Sequence, residues 1–98
     1  MITKSKRKNY YKINTLGKAL TALRNPRKVR LLDLLETYGR LNVTELYIKA
    51  RMNNKSLVSQ YLATFRKAGI LSCEREGKNI YYEINYERFT ALKKLIYG

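Results

Sequence analysis

The sequence predicts a single, mostly helical α+β domain with its elements in the order α-α-α-α-β-β-α. Three observations carry that prediction. Apolar residues recur at steps of three and four in five segments, the period of helices with one buried face. Two segments late in the chain, Leu71 to Glu76 and Asn79 to Ile84, flank a Gly77-Lys78 turn and pair with the two-residue period of a ribbon. Capping residues stand at the boundaries between segments.

Residues 1–10 are polar and basic, without periodicity, and are expected to form a flexible arm ahead of one domain over 11–98. From Tyr11, Ile13, Leu16, Leu20 and Leu23 step by three and four, so a first helix is expected over about 11–24. Asn25-Pro26 opens the second. Asn caps well, and Pro loses nothing at the first helical position, where its missing N–H has no intrahelical partner. Val29, Leu31, Leu32, Leu34, Leu35 and Tyr38 cover more than half of that helix, which places it at the centre of the domain, and Gly39 ends it.

Asn42-Val43-Thr44-Glu45 has the N-cap and N3 acid of a capping box. Val43, Leu46, Tyr47 and Ala50 follow as the inner stripe of a short third helix. After the polar break Arg51-Met52-Asn53-Asn54 comes a fourth helix, expected over 55–68. Val58, Tyr61, Leu62 and Phe65 form its inner stripe, and Lys55, Ser56, Ser59, Gln60 and Ala63 its outer face. Gly69 ends it. In the hairpin, Gly at the first turn position suits a two-residue type II′ connection. Leu71 then faces Ile84, Cys73 faces Tyr82 and Arg75 faces Ile80, all on one side of the ribbon. Asn85 caps a last helix, about 86–97, with Tyr86, Phe89, Leu92 and Ile96 in line.

Composition narrows the chemistry. The 98 residues carry 21 Lys+Arg against 7 Asp+Glu, a formal charge of +14, with 45% hydrophobic residues to build a core. There is no His and a single Cys, so neither a zinc cage nor a catalytic imidazole is available. The acids are scattered, and the chain is not expected to be an enzyme. No apolar run approaches the ~20 residues of a membrane span and no leader pattern is evident, so a cytoplasmic protein without membrane contact is expected.

The charge is unevenly placed. Residues 1–32 hold ten bases and no acid, and residues 46–73 hold five more bases, again with no acid. Uncompensated charge repels itself, and a polyanion such as nucleic acid would relieve that repulsion. Two short helices across a tight break, followed by a β-hairpin, describe a winged helix-turn-helix. Short polar side chains at one-turn spacing, Ser56, Ser59 and Gln60, suit the edges of bases in a major groove. Asn54 and Lys55 stand at the positively polarised helix start, where phosphates bind. The wing tip 75–79 offers Arg75, Lys78 and Asn79 to the backbone or minor groove.

Three stretches resemble the ArsR-like family of winged-helix repressors. Asn25 to Leu35 (NPRKVRLLDLL) is similar to its opening core helix, Val58 to Leu71 (VSQYLATFRKAGIL) to its recognition helix and exit, and Arg75 to Tyr82 (REGKNIYY) to its wing. The resemblance implies a homodimeric transcriptional regulator, a repressor, held together by its first and last helices and binding an imperfect inverted repeat of double-stranded DNA. Ile13, Leu16 and Leu20 with Phe89, Leu92 and Ile96 are the expected dimer contacts, since the terminal helices carry more apolar surface than capping a core requires.

Two departures from the family pattern stand out. Glu45-Leu46 is followed by Tyr47-Ile48-Lys49 where metal-sensing members have Cys-x-Cys, and no His is available for the family's other metal sites. No metal and no cofactor are therefore expected, and Cys73 is expected to be a small buried hydrophobe on the inner face of the hairpin. The stretch from Glu45 to Val58 is also one residue longer than the commonest spacing, with Arg51 near the usual turn Gly. That leaves open whether Asn54, Lys55 or Ser56 begins the recognition helix. Two other functions fit the same features: a winged-helix protein-interaction module in a larger assembly, and a non-specific nucleic-acid-binding protein.

Overall fold

A computed structural model of the protein describes residues 17–18 and 20–97, with the side chains of Ile96 and Tyr97 outside the description. The arm 1–10, the beginning of the expected first helix, and with it Ile13 and Leu16, lie outside the described residues. The first described element, α1, is helical at 17–18 and 20–22. The elements after it are α2 (Pro26–Tyr38), β1 (Leu41–Asn42), α3 (Val43–Ala50), α4 (Lys55–Lys67), β2 (Leu71–Glu76), β3 (Asn79–Ile84) and α5 (Tyr86–Tyr97).

Local chemistry explains the boundaries. Asn25 caps α2, its side chain accepting from the backbone N–H groups of Arg27 and Lys28, with Pro26 at the start of the helix. Asn85 caps α5 by accepting from the Arg88 N–H at 3.3 Å. Gly77 lies at φ 60, as the first position of a II′ turn requires, and the ribbon register is the expected one: Leu71 opposite Ile84, Cys73 opposite Tyr82, Arg75 opposite Ile80.

The core is a single cluster. It combines Leu31, Leu32 and Leu35 of α2, Leu46 and Ala50 of α3, and Val58, Leu62 and Phe65 of α4 with Ile70, Leu71, Tyr82, Ile84, Phe89 and Leu92. The buried side of α2 is narrower than its sequence suggests. Val29 and Leu34 are half-buried, and Tyr38 is exposed, with the Lys49 ammonium 4.1 Å from its ring centroid.

Two features depart from the sequence reading. The sheet has three strands in the order β1-β3-β2, because Leu41 and Asn42 pair with Tyr82 and Tyr81. A two-residue strand is too short to show alternation, and it is held by its pairing with β3 together with burial of Leu41 in the core. Cys73 is exposed rather than buried. Its position on the inward side of the ribbon is as expected, but only Leu71 of β2 is buried. β2 is an edge strand that runs out of the core after its first residue, while Tyr82 opposite Cys73 on the central strand stays buried.

Candidate nucleic-acid interface

The site is built from α3, the break after it, α4 and the β2–β3 wing. α3 begins in a complete capping box. The Asn42 side chain accepts from the Glu45 N–H at 2.8 Å, and the Asn42 N–H donates to the Glu45 carboxylate at 2.9 Å. The helix ends on Arg51 in the left-handed conformation (φ 55, ψ 41), its N–H donating to the Ile48 carbonyl at 3.2 Å. An L-residue with a Cβ adopts this conformation at a cost of about 1 kcal/mol. Arg30 of α2 compensates by donating from Nε to the Ala50 carbonyl at 3.2 Å, satisfying one of the open carbonyls at the end of α3.

Asn54 is the N-cap of α4, its side chain accepting from the Ser56 N–H at 2.8 Å and the Leu57 N–H at 3.3 Å. Lys55 is therefore the first residue of the helix, which resolves the three-way choice left by the sequence. Val58, Leu62 and Phe65 are fully buried and lock the helix against the core. Lys55, Ser56, Ser59 and Gln60 are exposed together on the opposite face, and Ala63 is half-buried beside them. Lys55 is not a loose cation: its Nζ donates to the Thr44 hydroxyl at 2.7 Å, joining the starts of α3 and α4. The sequence gives no sign of this contact, which depends on the crossing of the two helices.

Arg75, Lys78 and Asn79 are exposed on the wing. The face opposite Arg75 carries Glu74, Glu76, Asn79 and Tyr81. There Arg40 clamps the ribbon, its Nη2 lying 2.7 Å from Glu76 Oε1 and 4.0 Å from Glu74 Oε2, while the guanidinium carbon sits 4.2 Å from the Tyr81 ring centroid. The hydrogen bond to Glu76 holds the guanidinium above its ordinary pKa; desolvation opposes it, and the charges of Glu76 and Glu74 add to it. Sequence reasoning missed Arg40. The available signal was Glu74 and Glu76 two apart on one face of a strand in an otherwise basic protein, an arrangement that calls for a cation opposite.

Of the residues expected at a dimer contact, Leu20 is half-buried against the core, while Phe89 and Leu92 are buried within the protomer. Ile13, Leu16 and the side chain of Ile96 lie outside the described residues. Among the described side chains of α5, Leu95 is 71% exposed, and Tyr86, expected in the inner stripe, is exposed as well.

A short capped helix, a tight break, a second helix with a polar outer face and a following ribbon make this a winged helix-turn-helix protein. Comparison with known proteins narrows the class. No protein-family model matches the chain. The transcriptional repressor PagR of Bacillus anthracis is 29% identical over 87 residues, spanning 89% of this chain and 86% of PagR. The crystal structure of a possible transcriptional regulatory protein from Mycobacterium bovis shares 30% identity over 87% of this chain and 89% of that one, with a TM-score of 0.67. A solution structure from the same organism, of the homodimeric winged helix-turn-helix DNA-binding domain of a possible ArsR-family regulator, matches at 29% identity over 93% of this chain and 82% of that one, also at 0.67. The transcriptional regulator HlyU of Vibrio vulnificus is 30% identical over 97% of this chain and 95% of its own, at a TM-score of 0.63. The chain belongs to the ArsR-like winged helix-turn-helix family of transcriptional regulators.

Proposed function

We propose that the protein is a homodimeric, sequence-specific DNA-binding transcriptional repressor of the cytoplasm, without a metal or organic cofactor and without a catalytic role. In this reading α4 enters the major groove, where Ser56, Ser59 and Gln60 meet base edges and Asn54 and Lys55 meet phosphates. Arg75, Lys78 and Asn79 of the wing meet the backbone or the minor groove. The observation that carries the proposal is the outer face of α4: polar side chains one turn apart, exposed, on a helix whose other face is locked into the core, in a stretch without an acid. Locked recognition helices hold their side chains at fixed positions, which reading a base sequence requires.

The homodimer is supported by the dimeric Mycobacterium bovis relative, and repression by PagR. The proposed contact lies on the terminal helices, with Ile13, Leu16, Leu20 and Ile96 as its candidates, Phe89 and Leu92 being buried within the protomer. Two copies related by a two-fold axis would set their recognition helices about 34–36 Å apart and select an imperfect inverted repeat.

Selection of bound sequences from random duplexes, followed by footprinting, tests this. The expected product is a two-fold symmetric site protected over both halves. Engagement of ~8 phosphates by the dimer would give a slope near −7 for log affinity against log salt. Equal affinity for every duplex, with no symmetric site, would leave a non-specific nucleic-acid binder and reject sequence-specific regulation.

A further inference from the structure

The two acid-free stretches of the sequence meet at one place in the fold. A cleft of about 180 Å³ opens between the start of α2 and the break before α4. Arg27 and Arg30 line it from the first stretch, and Arg51, Asn53, Asn54 and Leu57 from the second. No acid lines the cleft, and among the described residues none of the three arginines is in an ion pair, the ion pairs being those of Arg40 and Lys93.

This convergence is costly unless it is used. Three arginines lining one concavity repel one another, and the first turns of α2 and α4 add the partial positive charge of their helix dipoles. The cleft is also held in shape. Arg30 spends two donors on the carbonyls at the end of α3, Ala50 at 3.2 Å and Lys49 at 3.5 Å, and keeps its remaining N–H groups for a ligand. Arg51 stands where a glycine would be unstrained, so its side chain comes at the cost of a left-handed backbone. The chemistry that fits planar forks with amide donors beside them is an oxyanion with several acceptor oxygens, and a phosphate group meets that description.

We propose that this cleft is a phosphate-binding site, in which Arg27, Arg30 and Arg51 hold the anion and Asn53 and Asn54 complete its hydrogen bonding. Leu57 borders the cleft on the side of α4 that adjoins the groove-reading face, so the nearest source is a backbone phosphate of the bound duplex. That source rests on the DNA-reading proposal above; a free phosphorylated compound would satisfy the same chemistry.

The test uses the full chain and the double variant R27Q/R51G, which spares Arg30 and its structural bonds. Glycine at 51 keeps the left-handed turn without strain, so a thermal melt at or above that of the wild type is expected and confirms folding. With duplex DNA, loss of one phosphate per protomer lowers the magnitude of the salt slope by about 2 for a dimer, and weakens selected and scrambled sequences alike by about tenfold. In a second arm, inorganic pyrophosphate is titrated without DNA, and the backbone amide signals of Asn53 and Asn54 are followed. A reduced salt slope assigns the site to the DNA backbone. An unchanged slope, with amide shifts present in the wild type and absent in R27Q/R51G, assigns it to a free phosphate compound. An unchanged slope and no shifts overturn the proposal. If the wild type binds no duplex at all, the DNA-reading proposal fails by itself, and the pyrophosphate arm still decides the cleft.

Discussion

Lys55 and Thr44 are joined by a 2.7 Å hydrogen bond from ammonium to hydroxyl, and both residues are exposed. The bond ties the first turn of the reading helix to the first turn of the helix before it, and it aims a cation across the mouth of the motif. Thr44→Val is nearly isosteric and removes only the acceptor. At an exposed site its effect on stability should stay within about 0.5 kcal/mol. Freeing the Lys55 side chain restores rotamer entropy that binding must then remove, so duplex affinity should fall by about two- to fivefold. Equilibrium unfolding and fluorescence anisotropy on the same samples separate the two effects.

The capping box at Asn42 makes a stability prediction of the opposite kind. Asn42→Ala deletes the side-chain acceptor for the Glu45 N–H but keeps the backbone N–H that donates to Glu45. The expected loss is about 1 kcal/mol. For a domain of this size that corresponds to a fall of about 4–8 °C in the melting temperature. Asn42→Asp, which retains an acceptor, should recover most of it, and differential scanning calorimetry resolves the three proteins.

How far the sequence could be read depended on the range of the forces involved. Asn25, Asn42 and Asn85 are legible as caps because a cap is a contact between near neighbours in the chain, whereas the lengthened break before α4 leaves Asn54 one of three candidates until the structure shows its capping bonds. The ribbon register was legible because Gly77 sets the turn and a slip by one residue would move Leu71 and Ile84 out of the core. Contacts between distant segments left no comparable trace. Strand β1 is two residues of backbone pairing, Arg40 meets Glu76 across 36 positions, and Thr44 meets Lys55 only where two helices cross. Cys73 was misplaced for a related reason: alternation tells which side of a ribbon a residue occupies, and the extent of the core decides whether anything covers that side. In the candidate site, the outer face of α4 was evident from its helical period, whereas the cleft shared by Arg27, Arg30 and Arg51 required the packing of α2 beside the break.

Tyr82 gives the protein an alkaline limit. Burial pushes its phenol above the ordinary value near 10, Cys73 adds to the shift and Arg66 opposes it. The folded state therefore binds the phenolic proton more tightly than the unfolded chain does. The stability linked to this difference is fully present below about pH 10 and is lost as pH rises through the higher folded-state value. Tyr82→Phe lacks the titrating group. The stability difference between wild type and Y82F should be constant from neutral pH to about 10 and should then shift in favour of the variant. Urea unfolding across this range measures it, and subtracting the variant removes the contributions of the other tyrosines and the lysines.

Ser59 and Gln60 test whether α4 reads bases or only rests on the backbone. Both side chains are exposed on the face of α4 opposite the buried Val58, Leu62 and Phe65. Replacing either with Ala removes polar reach without disturbing Val58, Leu62 or Phe65, so the melting temperature should be unchanged. Each lost base contact should cost about 1–3 kcal/mol on the selected duplex. On a scrambled duplex the cost should be near zero, because phosphate attraction does not depend on these groups. Repeating the selection with S59A and Q60A should then relax the preferred base at one position in each half-site. Equal losses on both duplexes would place the two residues on the backbone and move base reading to another part of the protein.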